Sequence, residues 1–248
     1  MNILVIETSS QRLCVGLINH RGRIAEYDID SGIRHTELLL PTIKKALVRL
    51  RLTLKDIDYF AVGLGPGSFT GLRIGLATIK GFAAALQKPV VGLSTLDVLA
   101  RNALPANSQM VCPVIDAKRN LLFTALYEVV PNKSSPCVQG LDKLKRISPY
   151  LLIGIEELLK KIDLRTSVTF LGDGLFLYQQ RLKQEIRKSI FLNEQTWYPK
   201  AKTLIELARE LIDKGKISDA KRLKPIYLYP KECQIAYGKS QIANRYRR

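Results

Sequence analysis

Cysteine is scarce in this 248-residue chain. Cys14, Cys112, Cys137 and Cys233 stand far apart with no CxxC pair. That spacing argues against a zinc ribbon or a disulfide framework, and reduced, buried thiols are the expectation. Histidine is scarcer, with His20 in a turn and His35 opening a helix, so no dedicated transition-metal site is expected. A GxSxG nucleophile elbow is missing, and no nucleophile–base pair shows in the spacing. No apolar run approaches the roughly 18 residues that cross a membrane. Met1 to Glu7 has no basic n-region and too short an apolar run for a signal peptide. The expected location is therefore cytoplasmic, with no membrane partner. Acidic residues are also in deficit, 22 against 39 Lys and Arg, a net charge of +17. The excess is concentrated late: residues 221–248 hold eight basic side chains and one acidic. A basic second half favours a polyanion such as RNA, and a solvated cationic tail gives the same composition.

The hydrophobic pattern divides the chain into two runs of similar order. In the first, strands are expected over 2–6, 13–18 and 23–29. A helix over 35–52, a strand over 57–64, a helix over 72–86, a strand over 89–92 and a helix over 95–102 follow. After the turn-rich Leu104-Pro105-Ala106-Asn107-Ser108, strands are expected over 110–115, 121–130 and 136–141. Then come a helix over 149–162, a strand over 168–171, a helix over 176–187, a strand over 190–192 and a helix over 201–214. Each run reads βββαβαβα. Three antiparallel strands followed by parallel βα units are the ribonuclease H-like pattern. The α/β fold expected is its duplication, as in the actin-like ATPase superfamily, with two halves around a cleft. The expected divisions are 1–104, 105–220 and a basic extension over 221–248.

The densest motif is Gly63-Leu64-Gly65-Pro66-Gly67-Ser68-Phe69-Thr70-Gly71-Leu72-Arg73-Ile74-Gly75. Glycine permits positive φ and close approach of another group. The motif is not a P-loop, because GxxxxGK[ST] is absent, and Ser68 breaks the GxGxxG fingerprint. It reads as a phosphate cradle, a docking face or tight strand-to-helix packing. The polar turn Glu7-Thr8-Ser9-Ser10 offers an acid for a magnesium-bound water and hydroxyls for phosphate. Asp116, Lys118 and Arg119 form the matching turn of the second half. A capped turn is the plainer alternative for each. Leu38, Leu39, Pro41, Thr42 and Lys45 share one helix face, and Gly71, Leu72, Gly75, Thr78 and Ala85 another. Two such faces exceed what one half-sheet must cover and read as an association surface.

The stretch 65–75 closely resembles the signature of the TsaB (YeaZ) family. Ile3-Leu4-Val5-Ile6-Glu7-Thr8-Ser9-Ser10, His35-Thr36-Glu37-Leu38-Leu39-Leu40-Pro41, Asp116-Ala117-Lys118-Arg119 and Pro225-Ile226-Tyr227-Leu228 fit it too. The resemblance is dense over 1–120 and looser beyond. It implies a non-catalytic subunit in formation of N6-threonylcarbamoyladenosine beside the anticodon of tRNAs reading codons that begin with A. The implied partners are the catalytic paralogue TsaD, a TsaE-like ATPase and, through the complex, tRNA, with a homodimer when the chain is alone. The implied cofactor is ATP or ADP at the subunit interface. The implied nucleotide contacts are Glu7, Thr8, Ser9, Asp116 and Lys118. The implied partner interface is Leu38, Leu39, Thr42, Gly71, Leu72, Gly75 and Thr78. The catalytic paralogue carries Asn-His-Leu-Glu-(Gly/Ala)-His, whose histidines hold metal. Thr95 and Leu99 stand at those positions here, a poor donor set for a transition metal. Glu7 departs from the aspartate common in the family. The alternative from another class is a nucleotide-dependent ATPase, sugar kinase or hydrolase acting alone.

Overall fold

The computed structural model describes residues 1–32, 34–130 and 143–229. Strands β1 (Ile3–Glu7), β2 (Arg12–Ile18) and β3 (Ile24–Asp30) are joined by short turns and pair antiparallel. After α1 (His35–Leu50), β4 (Tyr59–Gly63) lies parallel to β1. After α2 (Phe69–Leu86), β5 (Val90–Leu93) lies parallel to β4, and α3 (Thr95–Asn102) follows. The sheet order is β3-β2-β1-β4-β5. Alternation along β1 decides its two faces. Leu4 and Ile6 point into a core closed by α1 and α2, while Ile3 and Val5 point into another.

The second half repeats the design. β6 (Met110–Asp116) is flanked by β7 (Leu122–Thr124) and parallel β11 (Val168–Leu171), with β10 (Leu151–Ile153) and β12 (Ser189–Phe191) outside them. The order β10-β7-β6-β11-β12 matches the first sheet, so the duplicated ribonuclease H-like architecture is present. The additions are β8 (Tyr127–Val130) and β9 (Lys143–Arg146), which pair with each other beside β6. The single strand expected over 121–130 is split into β7 and β8. Both keep one register on β6, and the break falls opposite Cys112 and Pro113, where proline supplies no N–H to a ladder. The helix expected over 149–162 is also corrected. Leu151–Ile153 pairs antiparallel with β7, and α4 spans only Ile155–Lys161, starting after Gly154. The strand expected over 136–141 lies outside the described residues.

Two helices tie the halves together. α6 (Ala201–Asp213) follows α5 (Leu175–Glu185) and β12 in sequence, yet packs on the first sheet. Leu204, Ile205 and Ala208 sit against Ile3, Val5, Cys14 and Val91. α3 sends Leu96 and Ala100 into the core of the second half and Val98 into the core beneath α6. α2 corrects the expectation that no apolar stretch reaches membrane-crossing length. Its 18 residues have a mean hydropathy of 1.2, enough by length and composition alone. Leu72, Leu76, Ile79 and Ala83 are buried, most of them in the core beneath the first sheet, so α2 is a layer of the fold.

Candidate functional site

Period-two alternation carries Glu7 to the same side of β1 as Ile3 and Val5, at the C-terminal edge of the sheet. The neighbouring position on β4 is Gly63, and a Cβ there would lie 2.1 Å from Glu7 Oε2, so glycine makes the room. The Glu7 carboxylate is fully buried. The backbone N–H groups of Thr8 and Ser9 each donate to Oε1 at 2.8 Å, and the Thr95 hydroxyl donates to Oε2 at 2.8 Å. Thr95 Oγ1 also lies 3.0 Å from Ser9 Oγ. With its proton committed to Glu7, Thr95 accepts from Ser9. The Thr8 hydroxyl donates to the Gly71 carbonyl at 2.7 Å, and the Ser68 N–H donates to the Ser9 carbonyl at 2.7 Å. The N-terminal turn, the glycine motif and the start of α3 therefore form one closed knot.

Burial pushes the Glu7 carboxyl above its ordinary 4.5, against the pull of the hydrogen bonds from Ser9, Thr95 and Thr8. A proton is therefore held to higher pH in the folded chain than in the unfolded one. The stability contributed by this titration is full below the unfolded value and is lost as pH rises through the folded one. Glutamine at this position does not titrate. Urea unfolding of the parent and of Glu7→Gln between about pH 4 and 7 is expected to show the parent losing stability relative to the variant as pH rises. A gap that does not change with pH would mean that the carboxyl keeps its ordinary pKa.

The nucleotide-contact candidates fall into two places. Glu7, Thr8 and Ser9 face inward, and their side-chain oxygens are bonded to Thr95, to Gly71 and to backbone N–H groups of the same turn. A phosphate reaching them would have to displace those bonds. Asp116 and Lys118 sit at the end of β6. The Lys118 N–H and Nζ reach the two Asp116 oxygens at 2.7 and 2.5 Å, and Lys118, Arg119 and Asn120 all take positive φ. The Asp116 N–H donates to Asp173 at 3.0 Å, and burial pushes the Asp173 carboxyl up.

Most residues of the association surface read from the sequence face inward. Leu39, Thr42, Gly71, Leu72 and Gly75 are buried in the chain's own structure, while Leu38 and Thr78 are half-buried. A Cβ on Gly71 would lie 1.9 Å from the Thr8 carbonyl oxygen, and one on Gly75 would lie 2.4 Å from Thr8 Oγ1. These glycines let α2 close on the Glu7 turn, so their small size is already used internally. The outward side of α2 is Thr70, Arg73, Ala77, Gly81, Ala84 and Ala85, and Leu40 is exposed on α1.

Two features were not legible in the sequence. Asp97 on α3 accepts from the Tyr127 hydroxyl at 2.7 Å and the Tyr150 hydroxyl at 2.8 Å, a polar clasp between the halves. The guanidinium of Arg146 lies 3.9 Å from the Tyr150 ring centroid. Residues 218–229 run back across the molecule. Ser218 bridges Val90, the Ile226 N–H donates to the Leu64 carbonyl, and the Tyr227 ring lies 5.0 Å from Phe69. Tyr229 then packs edge-on against Phe123 and its hydroxyl donates to the Ala117 carbonyl. The closing segment thus reaches from the glycine motif to the Asp116 turn.

Comparison with known proteins places this arrangement. The family model described as TsaD, tRNA N6-adenosine threonylcarbamoyltransferase, matches residues 30–237. The tRNA threonylcarbamoyladenosine biosynthesis protein TsaB of Bacillus subtilis (strain 168) is 28% identical over 242 residues, 97% of this chain and all of that protein. TsaB of Escherichia coli (strain K12) is 35% identical over 129 residues, 52% of this chain and 55% of its own. The solved structure of YeaZ from Pseudomonas aeruginosa superposes with a TM-score of 0.76 at 27% identity, covering 92% of this chain and 99% of that one. With the glycine motif, the Glu7 turn and the duplicated sheets all in place, the chain belongs to the TsaD family, in its TsaB (YeaZ) branch.

Proposed function

We propose that the chain serves the formation of N6-threonylcarbamoyladenosine in tRNA, in the cytoplasm, as a non-catalytic subunit that holds a TsaD-like transferase. The observation that carries the reading is the fate of Thr95 and Leu99, the positions where the resemblance puts the paralogue's metal-binding histidines. The Thr95 hydroxyl is spent on Glu7, and Leu99 is buried in the core. On this reading, positions that hold a metal in the paralogue serve a hydrogen bond and core packing here. On this reading the outward side of α2, with Leu40 beside it, meets the transferase, and a TsaE-like ATPase and tRNA join the assembled pair. The same side supports a homodimer when the transferase is absent. The inward-facing Glu7 turn favours nucleotide at the interface of the complex over nucleotide held by this chain alone.

The test is tRNA modification reconstituted from purified components, with threonylcarbamoyl-adenylate as donor. The transferase and ATPase without this chain are expected to leave tRNA essentially unmodified, and adding the chain is expected to restore modification. Turnover of ATP or donor by the pure chain alone would favour the independent-enzyme reading instead.

A further inference from the structure

We infer that the open edge of β3, with the trough between it and the outer flank of α1, is a docking site for an extended protein segment. That segment carries acidic and apolar side chains on one face and basic side chains on the other. The observations concern a part of the molecule that the proposed transferase contact does not use. β3 is the edge of its sheet and pairs only with β2, over all seven of its residues. One side of its backbone therefore presents N–H and C=O groups without ladder partners among the described residues. Such an edge is a template for an added strand.

The two faces of this edge are chemically different. On the α1 side lies an open trough of about 470 Å³ lined by Tyr27, Pro41, Lys44, Lys45, Val48 and Arg49. Its floor is apolar, and Val48 is 68% exposed. Its rim is three cations, none of which has a salt-bridge partner among the described residues. On the opposite face of the strand stand the exposed acids Glu26, Asp28 and Asp30. Arg12 already binds Asp28 there at 2.9 Å.

These charges select the occupant. An added strand alternates its side chains, so every second one enters the trough and the others lie beside the acids. The trough calls for aliphatic and acidic residues, and the acid row for Lys or Arg. RNA is a poor match, because its phosphates would lie against the acid row and it has no strand backbone to pair. A second copy joined edge to edge about a twofold sets acids beside acids and cations beside cations. The chain's own residues 230–248 hold five Lys and Arg against one Glu, too few acids for the cationic rim. A different protein is what remains.

The test uses the full chain and fluorescein-labelled Glu-Lys-Val-Lys-Glu-Lys-Val, read by anisotropy. The control is Lys-Lys-Lys-Val-Val-Glu-Glu, of equal composition. The alternating peptide is expected to bind at least roughly tenfold more tightly than the control. The double change Lys45→Glu with Arg49→Glu, at two exposed positions, is expected to weaken it roughly tenfold or more. Lysine in place of glutamate in the peptide should restore binding to that variant. N-methylation of one alternate set of peptide amides should abolish binding, and of the other set leave it intact. Equal binding of the control, indifference to both methylated sets, or no binding at about 1 mM peptide would overturn the proposal. So would capture of labelled oligouridylate, without peptide binding, that the double change removes.

Discussion

Gly71→Ala is expected to destabilise the chain by about 3 kcal/mol or more, at the upper end for overpacking. Its added Cβ would lie 1.9 Å from the carbonyl oxygen of Thr8, a backbone atom with no rotamer to retreat into. Relief requires α2 to withdraw from the Glu7 turn. The same movement stretches the Thr8 hydroxyl bond to the Gly71 carbonyl and the Ser68 bond to Ser9. The control is Gly81→Ala, ten residues further along the same helix. Gly81 is exposed, and a Cβ there meets nothing within 4 Å. Alanine at that helix-interior position should stabilise by up to about 1 kcal/mol. For a chain of this length, thermal unfolding should fall by roughly 6–12 °C for the first change and rise by roughly 2–4 °C for the second. Similar midpoints for the two variants would mean that the glycines of α2 do not differ as their surroundings indicate.

That contrast also shows what could be read from the sequence. The first half was legible because β1, β2 and β4 are short apolar runs, β3 alternates, its helices keep a 3.6-residue period, and β-hairpin and βα connections follow one another closely. The glycine motif announced a close approach, but which group approaches was hidden. α2 is small on both sides, with Gly71 and Gly75 against Thr8 and with Ala77, Gly81 and Ala84 outward. Composition cannot tell an inward small face from an outward one, and Leu39, Thr42, Gly71, Leu72 and Gly75 all face inward. The β7–β8 break needed knowledge of which strand lies opposite Pro113. β10 looked helical because Leu151, Leu152 and Ile153 run directly into the apolar residues of α4. The Asp97 clasp joins residues 30 and 53 positions apart, and the Glu7–Thr95 bond spans 88. Bonds of that range come from tertiary placement, and no local pattern encodes them. The turn chemistry itself was visible, since Glu7, Thr8 and Ser9 are polar residues where an apolar strand ends.

The outward side of α2 carries the second large effect. Replacing Ala77 and Gly81 together by arginine is expected to weaken association with a TsaD-like transferase roughly 100-fold, or about 2.7 kcal/mol. Close helix packing relies on small side chains at the contact, and two long cations there hold a partner helix away while requiring their own desolvation. Both positions are exposed, and Gly81 has open space around it, so the fold should survive with thermal unfolding within a few degrees of the parent. Gly75→Arg would not give this information. Its Cβ would lie 2.4 Å from Thr8 Oγ1, so it would disturb the Glu7 turn and the partner contact together. Titration calorimetry with the purified transferase, beside a thermal melt of each variant, separates the two outcomes. A folded Ala77→Arg, Gly81→Arg chain that binds as the parent does would move the contact away from α2. If it binds poorly and also fails to support tRNA modification, the helix launched by the glycine motif is the part of this chain on which the transferase depends.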